Sequence, residues 1–178
     1  KKLKYQIKIK KIDNNFKIND LKGSELPVYD IKYYQKKPFE KISRKSNKYI
    51  FKCFEEALKF VKNKKIIGFV NCPISKESLF KNKHQGITEF LSKKAGQQGN
   101  ESMLIYNKKL SVSPITTHIP LSEVNKKIDQ YKIVKKVKVI DSFYKKVFKK
   151  KPNFAILGLN PHNFSSLKKS EEKEIIAK

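Results

Sequence analysis

Two short, unbroken apolar runs, Ile66-Ile67-Gly68-Phe69-Val70 and Phe154-Ala155-Ile156-Leu157, constrain this chain more than any other feature. Each follows a long amphipathic stretch and runs out into a segment holding Asn and Pro. Such runs are too short for a helix and suit a strand buried on both faces, which needs strands beside it and helices above and below. Helical and strand-like patterns alternate along the chain, so the expected class is α/β with a largely parallel sheet.

The individual elements follow from spacing. Leu3, Tyr5, Ile7 and Ile9 alternate with polar residues, the period of a half-buried strand, and Pro27 to Tyr33 reads as another. From Ser46 to Lys62 the residues Tyr49, Ile50, Cys53, Phe54, Ala57, Leu58 and Val61 share one helical face, with Glu55 four before Lys59. Short helices are expected at Lys76 to Lys81 and at Thr88 to Lys94, the second stopped by Gly96. Ser102 to Tyr106 and Ser111 to Thr117 read as strands, and Leu121 to Ile128 as a helix. A second long helix carries Ile133, Val137, Ile140, Tyr144 and Val147 on one stripe. Asn153 to Pro161 reads as a buried strand, and a last helix begins at Glu171.

Charge narrows the partners. Lys and Arg number 42 against 16 Asp and Glu, a formal net charge of +26. An excess of this size suits a polyanion, yet Arg44 is the one arginine, and base or phosphate recognition favours the guanidinium fork. The chain is also rich in Ile, Asn and Phe, a bias that A/T-rich codons produce with no partner involved. A solvated lysine surface is therefore expected, with neither nucleic acid nor membrane as partner. No apolar run approaches the roughly 20 residues of a membrane span, and the expected location is cytoplasmic. Cys53 and Cys72 form no close pair, which indicates neither a disulfide framework nor a cysteine metal site.

The chemistry concentrates where strands end. His118 in Thr116-Thr117-His118-Ile119-Pro120 and His162 in Asn160-Pro161-His162 each follow a predicted strand, at the carboxyl ends where open α/β sheets bind ligands. Two imidazoles converging there suit a metal such as zinc, while spacing alone favours a capping or hydrogen-bonded loop side chain for each. His84 lies in a polar loop and reads as exposed. Thr88, at a helix start, either caps the helix or, with the free amides around it, holds an anionic group. Lys76 either meets an anion or is a solvated amine. No GxGxxG, Walker loop or serine nucleophile elbow occurs.

The order of these motifs resembles the 4-hydroxythreonine-4-phosphate dehydrogenases of vitamin B6 biosynthesis. Cys72-Pro73-Ile74-Ser75-Lys76 is similar to that family's Pro-x-x-Lys segment, and Gly86-Ile87-Thr88-Glu89 to its Gly-His-Thr-Glu. Thr116-Thr117-His118-Ile119-Pro120-Leu121 and Gly158-Leu159-Asn160-Pro161-His162 resemble its two most specific strings, and Glu171-Glu172 its acidic pair. The resemblance runs from about Ile66 to the C-terminus. It implies that His118 and His162 are metal ligands and that Thr88 and the residue at position 87 face the substrate. It assigns no catalytic residue within this chain.

Three departures stand beside it. Ile87 replaces the family's usual substrate-binding histidine. Asn163 to Lys169 replaces a glycine-rich run, and the motifs expected before and after this chain, including a third metal-binding histidine, are missing. Residue 1 is not Met and the chain stops inside a predicted helix, so the sequence is expected to be an internal portion of a larger enzyme, inactive alone.

By the resemblance, the fold is two α/β/α domains flanking a cleft, as in isocitrate and isopropylmalate dehydrogenases, with residues 1–85 in the first and 86–178 in the second. The implied reaction is NAD-dependent (or NADP-dependent) oxidation of 4-phosphohydroxy-L-threonine and decarboxylation to 3-amino-2-oxopropyl phosphate, assisted by a divalent metal: zinc, magnesium or cobalt. The implied assembly is a homodimer sharing its active sites. Two alternatives are a dehydrogenase of a related phosphorylated four-carbon sugar acid and, in another class, a basic non-enzymatic binding module.

Overall fold

The computed structural model describes residues 6–37, 41–81, 86–159, 170 and 172–177. The chain divides into two compact units, residues 1–81 and 82–178.

In the first unit β1 (Ile9–Ile12) and β2 (Leu26–Tyr29) pair in parallel, Ile9 beside Leu26 and Ile12 beside Tyr29. Pro27 lacks a ladder donor, which an edge strand tolerates. Of the expected alternation, Leu3 and Tyr5 lie outside the described residues, Ile7 and Ile9 are exposed, and in β1 it is Lys10 and Ile12 that are half-buried. The longer strand expected at Pro27 to Tyr33 shortens to β2.

Helix α1 (Asn47–Lys62) forms where the apolar stripe predicts it. Phe54 is its most buried apolar side chain and meets Phe69, ring centroids 6.3 Å apart. Phe60 packs edge-on against both Phe16 and Tyr29. Glu56, not Glu55, is the buried carboxylate, paired with Lys59 at 2.9 Å and Lys52 at 3.1 Å. Those ammonium groups, Lys59 first, hold it below the usual carboxylate range. Helix α2 (Lys76–Phe80) is capped by Ser75, whose Oγ accepts the Ser78 N–H, and it buries Leu79 and Phe80. The Asn47 side-chain amide donates to the Ser78 carbonyl at 2.7 Å, tying the start of α1 to α2.

In the second unit α3 (Ile87–Ala95) buries Phe90 and Ser92 and ends at Gly96, whose φ of +70° is the left-handed conformation that closes helices. A short hairpin follows, joined at the antiparallel bridge of Ile105 and Val112. Helix α4 (Leu121–Lys127) precedes α5 (Gln130–Phe143), which is capped by Asp129 accepting the Lys132 N–H at 2.7 Å. The chain continues from α5 into a π turn at Tyr144–Phe148. There Tyr106 of the hairpin stacks on Phe148 at 4.8 Å, and the Tyr144 hydroxyl hydrogen-bonds Ser111. Ile133 and Ile140 are buried as expected of the stripe, while Val147 is half exposed. A π turn also forms at Glu172–Ile176.

The two diagnostic apolar runs do not become buried strands. Residues 66–70 and 153–159 form no ladder, and Ile67, Val70 and Leu157 are largely exposed. The expected strands at Ser102 to Tyr106 and Ser111 to Thr117 reduce to the single bridge. A strand is stable only beside another, and among the described residues nothing pairs with either run; β1 and β2 form the one sheet described. Among the described residues no helix is long and apolar enough to cross a membrane.

Candidate functional site

Helix α3 presents its first turn through an unusual start. Gly86 stands at the N-cap position with extended backbone, and having no side chain it cannot cap the first-turn N–H groups. The Glu89 carboxylate folds back over it: a Cβ on Gly86 would lie 2.6 Å from Glu89 Oε2. That oxygen is buried and has no hydrogen-bond partner among the described residues. Its negative charge sits at the positive end of the helix dipole, a favourable place, and is turned away from water. Thr88 is exposed one position into the helix, and Ile87 is half-buried beside it. The first turn thus offers an anion one hydroxyl, backbone N–H groups and, from Ile87, apolar surface, with the Glu89 carboxylate beside them as a charge of the same sign.

His118 is exposed, in the connection between the hairpin and α4. Its φ is +55°, a left-handed conformation uncommon outside glycine but tolerated by histidine more than by most residues. Thr116 and Thr117 before it are half-buried, and Pro120 fixes the entry to α4. The neighbours therefore hold the turn while the imidazole faces water. His118 was expected at the end of a sheet strand; it follows an isolated bridge, because the flanking strand that would extend the ladder is not found among the described residues.

His162 and His84 lie outside the described residues, as do Asn160, Pro161, Asn163 to Lys169 and Glu171. Among the described residues no three His, Cys, Asp or Glu side chains gather as a metal site. Lys76 is exposed at the first position of α2, and Cys53 and Cys72 are free thiols. A cavity of about 360 Å³ lies between the hairpin, α5 and residues 152–156. Leu104, Ile115, Lys136, Ile140 and Phe154 are among its walls, and neither Thr88 nor His118 is. We read it as the seam left open where the 153–159 run remains unpaired.

Sequence reasoning missed a part-buried polar pair beside α3. The Ser92 hydroxyl donates to Glu101 Oε2 at 2.7 Å. Burial pushes the Glu101 carboxyl up, but the Ser92 hydroxyl, the N–H groups of Glu101 and Gly99 and the charge of Lys136 outweigh it and hold it below the usual range. Burial lowers the Lys136 ammonium, and Glu101 opposes that. One signal was legible: Ser92 follows Thr88 by four residues, on the same helical face.

Comparison with known proteins gives this geometry its setting. The family described as Pyridoxal phosphate biosynthetic protein PdxA matches residues 1–178. The chain is 35% identical over 162 residues to a 4-hydroxythreonine-4-phosphate dehydrogenase of Sulfurihydrogenibium sp., covering 87% of this chain and 50% of the relative. It is 38% identical over 115 residues to the enzyme of the same name from Aquifex aeolicus, covering 62% and 36%. A D-threonate 4-phosphate dehydrogenase of Pectobacterium atrosepticum is 27% identical over 114 residues, covering 63% and 35%. The crystal structure of 4-hydroxythreonine-4-phosphate dehydrogenase from Klebsiella pneumoniae matches 97% of this chain and 54% of its own, with a TM-score of 0.79 at 24% identity, which shows a shared α/β fold. The chain spans about half the length of the first of these relatives. With the family matched along its whole length, this chain belongs to the PdxA family.

Proposed function

We propose that this chain carries part of the active site of a dehydrogenase that oxidises 4-phosphohydroxy-L-threonine with NAD (or NADP) and decarboxylates the product to 3-amino-2-oxopropyl phosphate. The observation that carries the reading is the start of α3. Thr88 stands exposed beside first-turn amides that Gly86 cannot cap, an arrangement suited to a phosphate group or its neighbour once the Glu89 carboxylate turns away from the helix start.

In this reading Thr88 donates its hydroxyl and the α3 amides their N–H groups, so the phosphate is bound and the substrate oriented at one end. Ile87 excludes water beside it without adding a polar contact. His118 would hold a divalent metal through one ring nitrogen, together with His162; its exposed imidazole suits a ligand, and its left-handed turn fixes where the ring starts. The bound metal would lower the pKa of the substrate hydroxyl and stabilise the enolate left by decarboxylation, and the nicotinamide would accept hydride. The two-domain arrangement divided near Gly86, a cytoplasmic location and a homodimer with shared sites belong to the same proposal.

A second reading draws on Ile87. An apolar side chain beside Thr88 alters the pocket where substrates of this class differ, and the relative from Pectobacterium atrosepticum is named for D-threonate 4-phosphate. Cobalt binding followed by visible absorption, in wild type and His118→Ala, tests the metal site. The expected result is a ligand-field spectrum that His118→Ala abolishes; an unchanged spectrum would remove His118 from the proposal. Titration with the two phosphorylated compounds separates the substrates.

A further inference from the structure

We propose that Glu101 is a positioning residue: by accepting the Ser92 hydroxyl it fixes helix α3 and so sets where Thr88 stands. The inference rests on the reading of Thr88 as a phosphate contact. Ser92 is buried, in the last turns of a helix only nine residues long. It is fastened twice, since its carbonyl accepts the Gln97 N–H at 2.9 Å while its hydroxyl donates to Glu101. Glu101 is half-buried, and although burial raises its carboxyl, the Ser92 hydroxyl, nearby backbone N–H groups and the charge of Lys136 outweigh that and hold it below the usual range. The anchor is therefore a directional hydrogen bond to a charged group rather than apolar contacts that can slide. Thr88 lies one turn above Ser92 on the same face, so rotation or tilt of α3 at Ser92 moves its hydroxyl directly.

The test measures binding of 4-phosphohydroxy-L-threonine to the whole chain by titration calorimetry, with hydrogen exchange of the α3 amides recorded alongside. Ser92→Ala and Glu101→Ala should each weaken binding about fivefold, and the double variant should be no weaker than either single, because both remove one interaction. Glu101→Gln, which keeps the acceptor, should bind within about twofold of wild type. Exchange should quicken in α3 for the two alanine variants while α5 stays protected. Wild-type binding by both alanine variants, or additive losses in the double variant, overturns the inference. Thr88→Val separates the two claims: weakened binding there with no effect at Ser92 and Glu101 overturns only the positioning role, and undiminished binding overturns the phosphate contact on which it rests.

Discussion

Phe60 of α1 stands edge-on to Tyr29 of β2, ring centroids 5.1 Å apart at an interplanar angle of 82°. The same ring meets Phe16 edge-on at 5.2 Å, so one side chain joins the helix to the strand and to the loop after β1. Such pairs contribute about 0.5–1.5 kcal/mol each beyond the area they bury. Phe60→Leu should therefore lower unfolding stability by about 1–3 kcal/mol while keeping most apolar area. Urea denaturation checks it, and a loss indistinguishable from zero would mean that the aromatic geometry contributes nothing.

Gly96 closes α3 at a positive φ with open space around its Cα. Gly96→Ala meets no collision, so any loss isolates the backbone cost, about 1 kcal/mol for an L-residue in this region. A thermal melt lowered by a few degrees is expected, with the helix start at Gly86 unaffected.

Glu56 carries a pH dependence whose sign is fixed. Its folded-state carboxyl lies below the ordinary value because Lys59 and then Lys52 favour the charged form. The stability this contributes is fully present above the unfolded-state value and is lost as pH falls through the folded-state one. The lysine partners are exposed, so the total is under about 1 kcal/mol. Glu56→Gln should be less stable than wild type at neutral pH, and the difference should shrink in acid; a constant difference across that range would contradict the pairing.

Ile87 gives the pocket prediction. Restoring an imidazole there adds a charge-assisted hydrogen bond of about 1.5–3 kcal/mol if its partner is a phosphate or carboxylate. Because Ile87 is half-buried, we expect the pocket to be rebuilt around it and Ile87→His to tighten 4-phosphohydroxy-L-threonine little. A gain of about tenfold in affinity, equivalent to about 1.4 kcal/mol, would show a merely weakened site instead.

The helices were legible because their signals are local. Stripe, cap and stop residues lie within one turn of the positions they govern: α1 and α3 begin and end close to where Ser46, Thr88 and Gly96 suggest, and α5 lies on the stripe of Ile133 and Ile140. Strands are different: whether Ile66 to Val70 pairs depends on chain far away in sequence, and an apolar run carries no word about its neighbour. At the site, the motif around His118 and the placement of Thr88 at a helix start were readable. The left-handed turn at His118 was not, since histidine gives only a weak preference for it. Glu101 was invisible because nothing in its immediate sequence names Ser92 or Lys136 as partners.

The uncovered apolar runs give the lysine surplus a use. Lys62, Lys64 and Lys65 stand directly before the first, and Lys149, Lys150 and Lys151 before the second. Two molecules meeting run to run would bring these cationic tracts together, so they act as gatekeepers against edge-to-edge aggregation. That protection is electrostatic and fades over a Debye length of about 10 Å at 0.1 M salt. The chain should therefore stay dispersed in dilute buffer and cloud as ionic strength rises, the reverse of salting-in.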